Sequence, residues 1–96
     1  MPTYLVLWNW TEQGIRNFKE IPKRVEAFRQ LVEKNGGKLS SFFFTVGKYD
    51  GATVVEAPSD EVLMKIALGV GSLGNVRTTT LKAWAPTDMA KVINEM

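Results

Sequence analysis

The sequence predicts an α+β fold with its elements in the order β-α-β-β-α-β, followed by a short C-terminal helix. Two apolar runs, predicted as strands over residues 38–46 and 52–57, flank the short polar turn at residues 47–51, a pattern typical of a β-hairpin. Amphipathic patterns with apolar residues at three- and four-residue steps lie on either side of this hairpin and predict two helices. In this order, four strands form one antiparallel sheet and both helices lie across one of its faces.

The first strand is predicted over residues 4–10, which are rich in β-branched and aromatic side chains. Because side chains alternate along a strand, one face carries Tyr4, Val6, Trp8 and Trp10 and the other carries Leu5 and Leu7. Thr11 is expected to cap a short helical turn. Pro22 suits the first turn of the first amphipathic helix, and residues 35–37 end that helix because glycine can adopt the left-handed conformation.

In the second half of the chain, Ser59 or Asp60 is expected to cap the second amphipathic helix, which ends near residues 71–75. The fourth strand is predicted over residues 76–84, and Pro86 begins the C-terminal helix. Residues 69–74 have the glycine spacing of a dinucleotide-binding loop. Since a helix precedes them and a strand follows, the reverse of the order that such a loop needs, we interpret these glycines as the end of the second helix.

The consecutive phenylalanines Phe42, Phe43 and Phe44 point alternately to both faces of the sheet, so neither register leaves one face polar. The two helices cover only one face. Exposed together, these side chains and those of the first strand would form a larger apolar patch than a monomer normally exposes. The sequence therefore predicts a homo-oligomer in which a second subunit packs against the open sheet face.

Composition limits the functions that the chain can have. Its 96 residues are expected to form one domain over residues 1–96, with a formal net charge of +2 that is weak evidence for a polyanionic partner. The chain has no cysteine and no histidine, which excludes thiolate nucleophiles and the commonest metal ligand and general base, so no metal and no cofactor are expected. Without a signal peptide or a membrane-length apolar run, a cytoplasmic location is expected. The basic residues Arg16, Lys19, Lys23 and Arg24 are expected to form a solvated surface.

Five short blocks of sequence are similar to the GYD domain family. They lie at residues 11–15, 22–24, 47–50, 55–58 and 74–78, read Thr-Glu-Gln-Gly-Ile, Pro-Lys-Arg, Gly-Lys-Tyr-Asp, Val-Glu-Ala-Pro and Gly-Asn-Val-Arg-Thr, and span nearly the whole chain. The resemblance implies a ferredoxin-like fold of the dimeric α/β barrel kind. It implies little about activity, because the family is largely uncharacterised.

Several residues are candidates for chemistry or binding, each with a structural alternative. Glu56 interrupts an apolar strand and is a candidate general acid or base if it is buried, or else a partner of Arg77 or Lys82. Tyr49 and Asp50 are candidates for a phenolic acid and its partner, although turn geometry alone explains Asp50. The candidate ligand-binding residues are Arg77 and Thr78, for an anionic group, and Trp8 and Trp10, for a planar molecule or for packing.

Three function classes follow from these residues. The first is an oligomer that binds a small apolar or aromatic molecule or serves as an assembly module. The second is a cofactor-independent enzyme, monooxygenase- or isomerase-like, that acts in the barrel cavity with Glu56 or Tyr49 as the acid or base. The third, RNA binding, is not expected, because the third strand offers no aromatic ring on which a base could stack.

Overall fold

A computed structural model describes all residues 1–96 of the chain. The strands are β1 (Thr3–Trp10), β2 (Lys38–Phe44), β3 (Gly51–Glu56) and β4 (Val76–Ala83), and the helices are α1 (Glu12–Arg16), α2 (Ile21–Lys34), α3 (Asp60–Ser72) and α4 (Pro86–Asn94), with a 3-10 turn at Phe18–Glu20 before α2. The element order predicted from the sequence is confirmed. The strand bounds differ from the predicted ones by one or two residues, and β2 ends at Phe44 because the hairpin turn takes up residues 45–50.

The helix starts follow from local capping. The Thr11 side chain accepts a hydrogen bond from the Gly14 amide at the start of α1, and the Ser59 side chain accepts one from the Val62 amide at the start of α3. Pro22 lies in the first turn of α2, where its missing N–H group costs no helical hydrogen bond.

The four strands form one antiparallel sheet in the order β2-β3-β1-β4, which is the ferredoxin-like arrangement. The register pairs Leu5 with Val54 on one side and with Leu81 on the other. A bulge near Ser40 shifts the register of β2, so that Phe42 lies opposite Thr53 and Phe43 lies opposite Ala52.

The core lies between the sheet and helices α2 and α3. Its buried side chains come from alternate positions of the strands and from one face of each helix: Tyr4, Val6, Val32, Leu39, Val55, Ala57, Leu63 and Ile66. Phe28, Leu31, Phe42, Val62 and Val70 pack around them. The predicted alternation is confirmed, because Tyr4, Val6 and Trp8 are buried beneath the helices while Leu5 and Leu7 lie on the other face.

The second face of the sheet has no helix over it. Leu5, Leu7, Ala52, Val54, Phe43 and Leu81 occupy its centre, as the strand register shows. Phe43 is 61% exposed and Leu81 is 47% exposed. We refer to the surface formed by these six residues as the open sheet face.

Helix α4 lies apart from the core. Its apolar side chains Met89, Val92 and Ile93 are all exposed, as is Trp84 before it. None of the helices is long and apolar enough to cross a membrane.

Candidate functional site

The turn between β2 and β3 is held by the end of β1. The Asp50 carboxylate accepts a hydrogen bond from the backbone N–H of Trp10 at 2.9 Å, and the Asp50 amide donates to the Trp8 carbonyl at 2.9 Å. Thr45 closes the turn, since its amide donates to the Asp50 carbonyl at 2.9 Å and its hydroxyl to the Tyr49 carbonyl at 2.6 Å. The turn therefore fixes the backbone that carries both tryptophans.

Gly51, directly after the turn, lies beneath the Trp8 ring. A Cβ atom at this position would lie 1.8 Å from Trp8 Cζ2 and 2.0 Å from Cε2. The ring cannot rise away freely, because its Nε1–H group donates to Thr53 Oγ1 at 3.1 Å and its neighbours are aromatic. Only glycine fits at position 51, because the Trp8 ring occupies the space that a Cβ atom would need.

Beside Trp8, the helix face of the sheet encloses a cavity of about 160 Å³ under α2. Five aromatic rings contribute to its wall: Trp8, Trp10, Phe28, Phe42 and Phe44. Trp10 and Phe44 are stacked, with ring centroids 6.5 Å apart and an interplanar angle of 19°. Trp8 meets Trp10 and Phe44 edge to face, with centroids 4.9 Å and 5.7 Å away. These contacts give the cavity flat, apolar walls.

Arg24 is the charged residue in the cavity wall. Its guanidinium group donates to the carbonyl of Gly14 at 3.0 Å and to that of Asn17 at 2.8 Å, and it lies 5.8 Å from the centroid of the Trp10 ring. Its Nε atom is buried without a hydrogen-bond partner. Arg24 therefore differs from the solvated basic residue expected from the sequence: it is half-buried and ties α2 to α1.

Two of the sequence blocks that resemble the GYD domain family, about sixty residues apart in the chain, are hydrogen-bonded to each other. The Thr11 hydroxyl donates to the Gly74 carbonyl at 2.6 Å, and the Thr11 amide donates to the Asn75 carbonyl at 3.1 Å. The Gln13 side-chain amide donates to Asn75 Oδ1 at 3.0 Å. Gly14 is needed at this junction, because a Cβ atom there would lie 1.9 Å from the Asn75 carbonyl oxygen.

The candidate site residues fall in three places. Trp8, Trp10 and Thr78 line the cavity, whereas Tyr49 and Asp50 lie in the turn outside its wall. Glu56 and Arg77 lie on the same side of the sheet as the open sheet face but at opposite ends, since the register places Glu56 opposite Thr3 and Arg77 opposite Asn9.

Glu56 has a local partner of its own. Ser40 donates a hydrogen bond to the Glu56 carboxylate at 3.0 Å, and Lys38 lies directly across on β2. Tyr49 is half-buried, with Lys48 Nζ 5.6 Å from the centroid of its ring. No group of three or more acidic side chains lies where a metal ion could be shared.

A polar cluster that the sequence did not predict joins β1, α3 and β4. The hydroxyl of the buried Tyr4 donates to Asp60 Oδ1, and Lys82 Nζ lies 3.1 Å from the same carboxylate. Burial, reinforced by the Asp60 hydrogen bond, raises the pKa of Tyr4 to about 12. The hydrogen bond from Tyr4, followed by that from Lys82, lowers the pKa of Asp60. The strand register places Lys82 opposite Tyr4. No sequence pattern indicates that both side chains also contact Asp60, the first residue of α3.

This cluster predicts a loss of stability at high pH. The pKa of Tyr4 is raised from 10.0 to about 12 on folding. Its contribution to the free energy of unfolding is therefore fully present below about pH 10 and is lost as pH rises to about 12. The lowered pKa of Asp60 acts in the opposite direction: its contribution is present above its ordinary pKa and is lost as pH falls through the folded value. Thermal unfolding of the wild type and of Tyr4→Phe, followed from pH 7 to 12, tests the predicted loss of stability at high pH.

We expect Tyr4→Phe to be less stable than the wild type at pH 7 and to lose less stability than the wild type above about pH 10. Tyr49→Phe serves as the matched control, since that ring is outside the cluster. If the melting temperatures of the wild type and of Tyr4→Phe fell in parallel from pH 7 to 12, Tyr4 would not be the cause of the alkaline loss of stability.

Comparisons with known proteins agree with the fold. The model of the family described as GYD domain matches residues 4–93. A Thermus thermophilus protein named glutamine synthetase and cystathionine beta-lyase binding protein is 31% identical over 90 residues, which are 93% of this chain and 95% of the relative. A crystal structure of a protein from the same organism superposes with a TM-score of 0.56 at 25% identity, covering 88% of this chain and 95% of that one.

Proposed function

This chain belongs to the GYD domain family, and we propose that it is an assembly module that self-associates and binds other proteins. The open sheet face is the observation that supports the proposal most strongly. Each of the four strands contributes at least one apolar side chain to it, and it includes the exposed Phe43 and Leu81. Exposed apolar patches of this kind mark interaction surfaces in folded proteins.

The proposed occupant of the open sheet face is a second copy of the chain. Only 12 of the 96 residues are buried, while 15 large hydrophobic side chains are exposed, so one copy alone buries little apolar surface. Packing sheet against sheet would bury the six side chains of the open sheet face in each copy at once. A two-fold arrangement suits this face because the same surface is then used by both copies.

The binding of other proteins is proposed from the relative. That protein is named for binding glutamine synthetase and cystathionine beta-lyase, and it matches this chain over nearly its whole length. The cavity gives no competing indication of acid–base catalysis, since neither Glu56 nor Tyr49 is among its wall residues. A catalytic role for Glu56, Tyr49 or Asp50 stays a prediction from the sequence.

The proposed binding of other proteins is tested by titrating the purified chain against glutamine synthetase and cystathionine beta-lyase from its own source organism. We expect a dissociation constant on the order of micromolar or tighter for at least one of them, because specific interfaces of ordinary size reach this range. Serum albumin in place of the enzymes is the control for nonspecific binding. Equal signals with albumin, or no signal with either enzyme at concentrations of about 50 μM, would contradict the proposed binding role.

A further inference from the structure

The cavity beneath α2 has the dimensions of a small ligand site. Its volume of about 160 Å³ is close to that of an engineered apolar cavity of about 150 Å³ that binds benzene. Phe44, Leu73 and Thr78 line the cavity and are also exposed to solvent, so the cavity reaches the surface of the chain. A ligand of about one ring can therefore enter without unfolding the domain.

The walls of the cavity select a flat, apolar body. Of its 17 wall residues, 13 are hydrophobic, and Trp10 and Phe44 present nearly parallel rings. The uncharged polar wall residues are Thr53, Asn75 and Thr78. The Thr53 hydroxyl already accepts the hydrogen bond of Trp8, and Asn75 Oδ1 already accepts one from Gln13. An aromatic ring would gain edge or face contacts with the surrounding rings.

The cavity wall carries one positive charge without a counter-ion. The guanidinium of Arg24 has five N–H donors, of which two are used by the carbonyls of Gly14 and Asn17. None of the ion pairs in the chain, which join Arg16 to Glu12, Arg29 to Glu26 and Lys82 to Asp60, includes Arg24. A half-buried guanidinium beside an apolar cavity favours an anionic oxygen group, since charge-assisted hydrogen bonds to a carboxylate are strong there.

We propose that this cavity binds a small aromatic carboxylate, with its ring among Trp8, Trp10 and Phe44 and its carboxylate turned toward the Arg24 guanidinium. Arg24 is then a ligand-binding residue, and the Thr78 hydroxyl at the mouth of the cavity is a second polar contact. The site is built from one copy of the chain, so it does not rest on the proposed self-association or on the binding of other proteins.

Benzoate and benzyl alcohol are suitable probes because they share the ring and differ in charge. Binding is followed by the NMR signals of the three indole N–H groups. We expect the Trp8 and Trp10 signals to shift while that of Trp84, which is not in the cavity wall, stays in place. Benzoate is expected to bind about tenfold more tightly than benzyl alcohol.

Two variants, Arg24→Gln and Val25→Phe, distinguish the contribution of the Arg24 charge to binding from that of the space in the cavity. Arg24→Gln is expected to remove the tenfold preference for benzoate while benzyl alcohol still binds, which also shows that the cavity is intact. Arg29→Gln, on the same helix but outside the cavity wall, is the matched control and should keep the preference. Val25→Phe fills the cavity and is expected to abolish binding of both probes.

The proposal would be overturned by equal binding of benzoate and benzyl alcohol to the wild type, by a preference for benzoate that survives Arg24→Gln, or by shifts confined to Trp84. If Arg24→Gln does not fold, the preference of the wild type for benzoate and the loss of binding of both probes in Val25→Phe decide the matter, since neither measurement needs the Arg24 variant. The absence of binding by both probes at millimolar concentration also overturns it.

Discussion

Replacing Gly51 with alanine is expected to destabilise the chain by about 3 kcal/mol or more, at the upper end of the range for overpacking. The new methyl group would lie 1.8 Å from Trp8 Cζ2, a distance that no side-chain adjustment of a few tenths of an ångström relieves. The Trp8 ring must move, and with it the hydrogen bond to Thr53 and the contacts to Trp10 and Phe44. Thermal unfolding followed by circular dichroism measures the loss.

Two controls make this result specific to the contact with Trp8. Gly71→Ala, in α3 with open space around its Cβ position, is expected to be neutral or to stabilise by up to about 1 kcal/mol, because alanine favours the helix. Trp8→Phe removes the outer ring that the methyl group would strike. The double variant Gly51→Ala with Trp8→Phe should therefore cost less than the sum of the two single changes. A melting temperature for Gly51→Ala within about 2 °C of the wild type would contradict the geometry.

Leu81→Lys is expected to convert the proposed oligomer into monomers. Leu81 is 47% exposed in a single copy, so lysine can extend into solvent there without disturbing the core. In an interface across the open sheet face, the same lysine would be buried against apolar side chains. Because a two-fold interface contains every substitution twice, we expect self-association to weaken roughly hundredfold or more.

Leu68→Lys is the matched control for this change. It replaces the same residue type at a similarly exposed apolar position, 66% exposed on α3, but away from the open sheet face. Sedimentation velocity at several protein concentrations compares the two variants. If Leu68→Lys dissociates the oligomer and Leu81→Lys does not, the interface lies on the helix side and the proposed face is wrong.

Much of the fold was predictable from the sequence because its signals are local. Period-two alternation placed Tyr4, Val6 and Trp8 on one face of β1, and Thr11 and Ser59 are capping residues that favour helix starts. The sequence left open which of the two apolar faces of β1 lies under the helices. That choice depends on the long-range register, which places Leu5 beside Val54 and Leu81.

The site was predictable only in part, for a physical reason. Trp8 and Trp10 were recognised as possible wall residues because aromatic side chains dominate burial in small domains. Arg24 was missed because its role depends on carbonyl groups of α1 and on a ring of β1, contacts between elements that no spacing within α2 reveals. The same holds for Tyr4, whose hydroxyl meets a carboxylate 56 residues away.

Glu56 shows the converse limitation. A carboxylate within an apolar strand is either a buried acid or a partner of Arg77 or Lys82, and the sequence does not decide between them. The register puts Glu56 on the same side of the sheet as Leu5 and Leu7, at the end of the strand beside Ser40 and Lys38. The sequence predicted its strand correctly but not its neighbours, and those neighbours determine whether a carboxylate is solvated.

The mass of the wild-type protein in solution is the most direct test of the central claim, that the open sheet face joins copies of this chain. Multi-angle light scattering behind a sizing column, at micromolar concentration, measures this mass without a label. The account predicts at least twice the chain mass of 10.7 kDa for the wild type. A stable monomer under these conditions would contradict it.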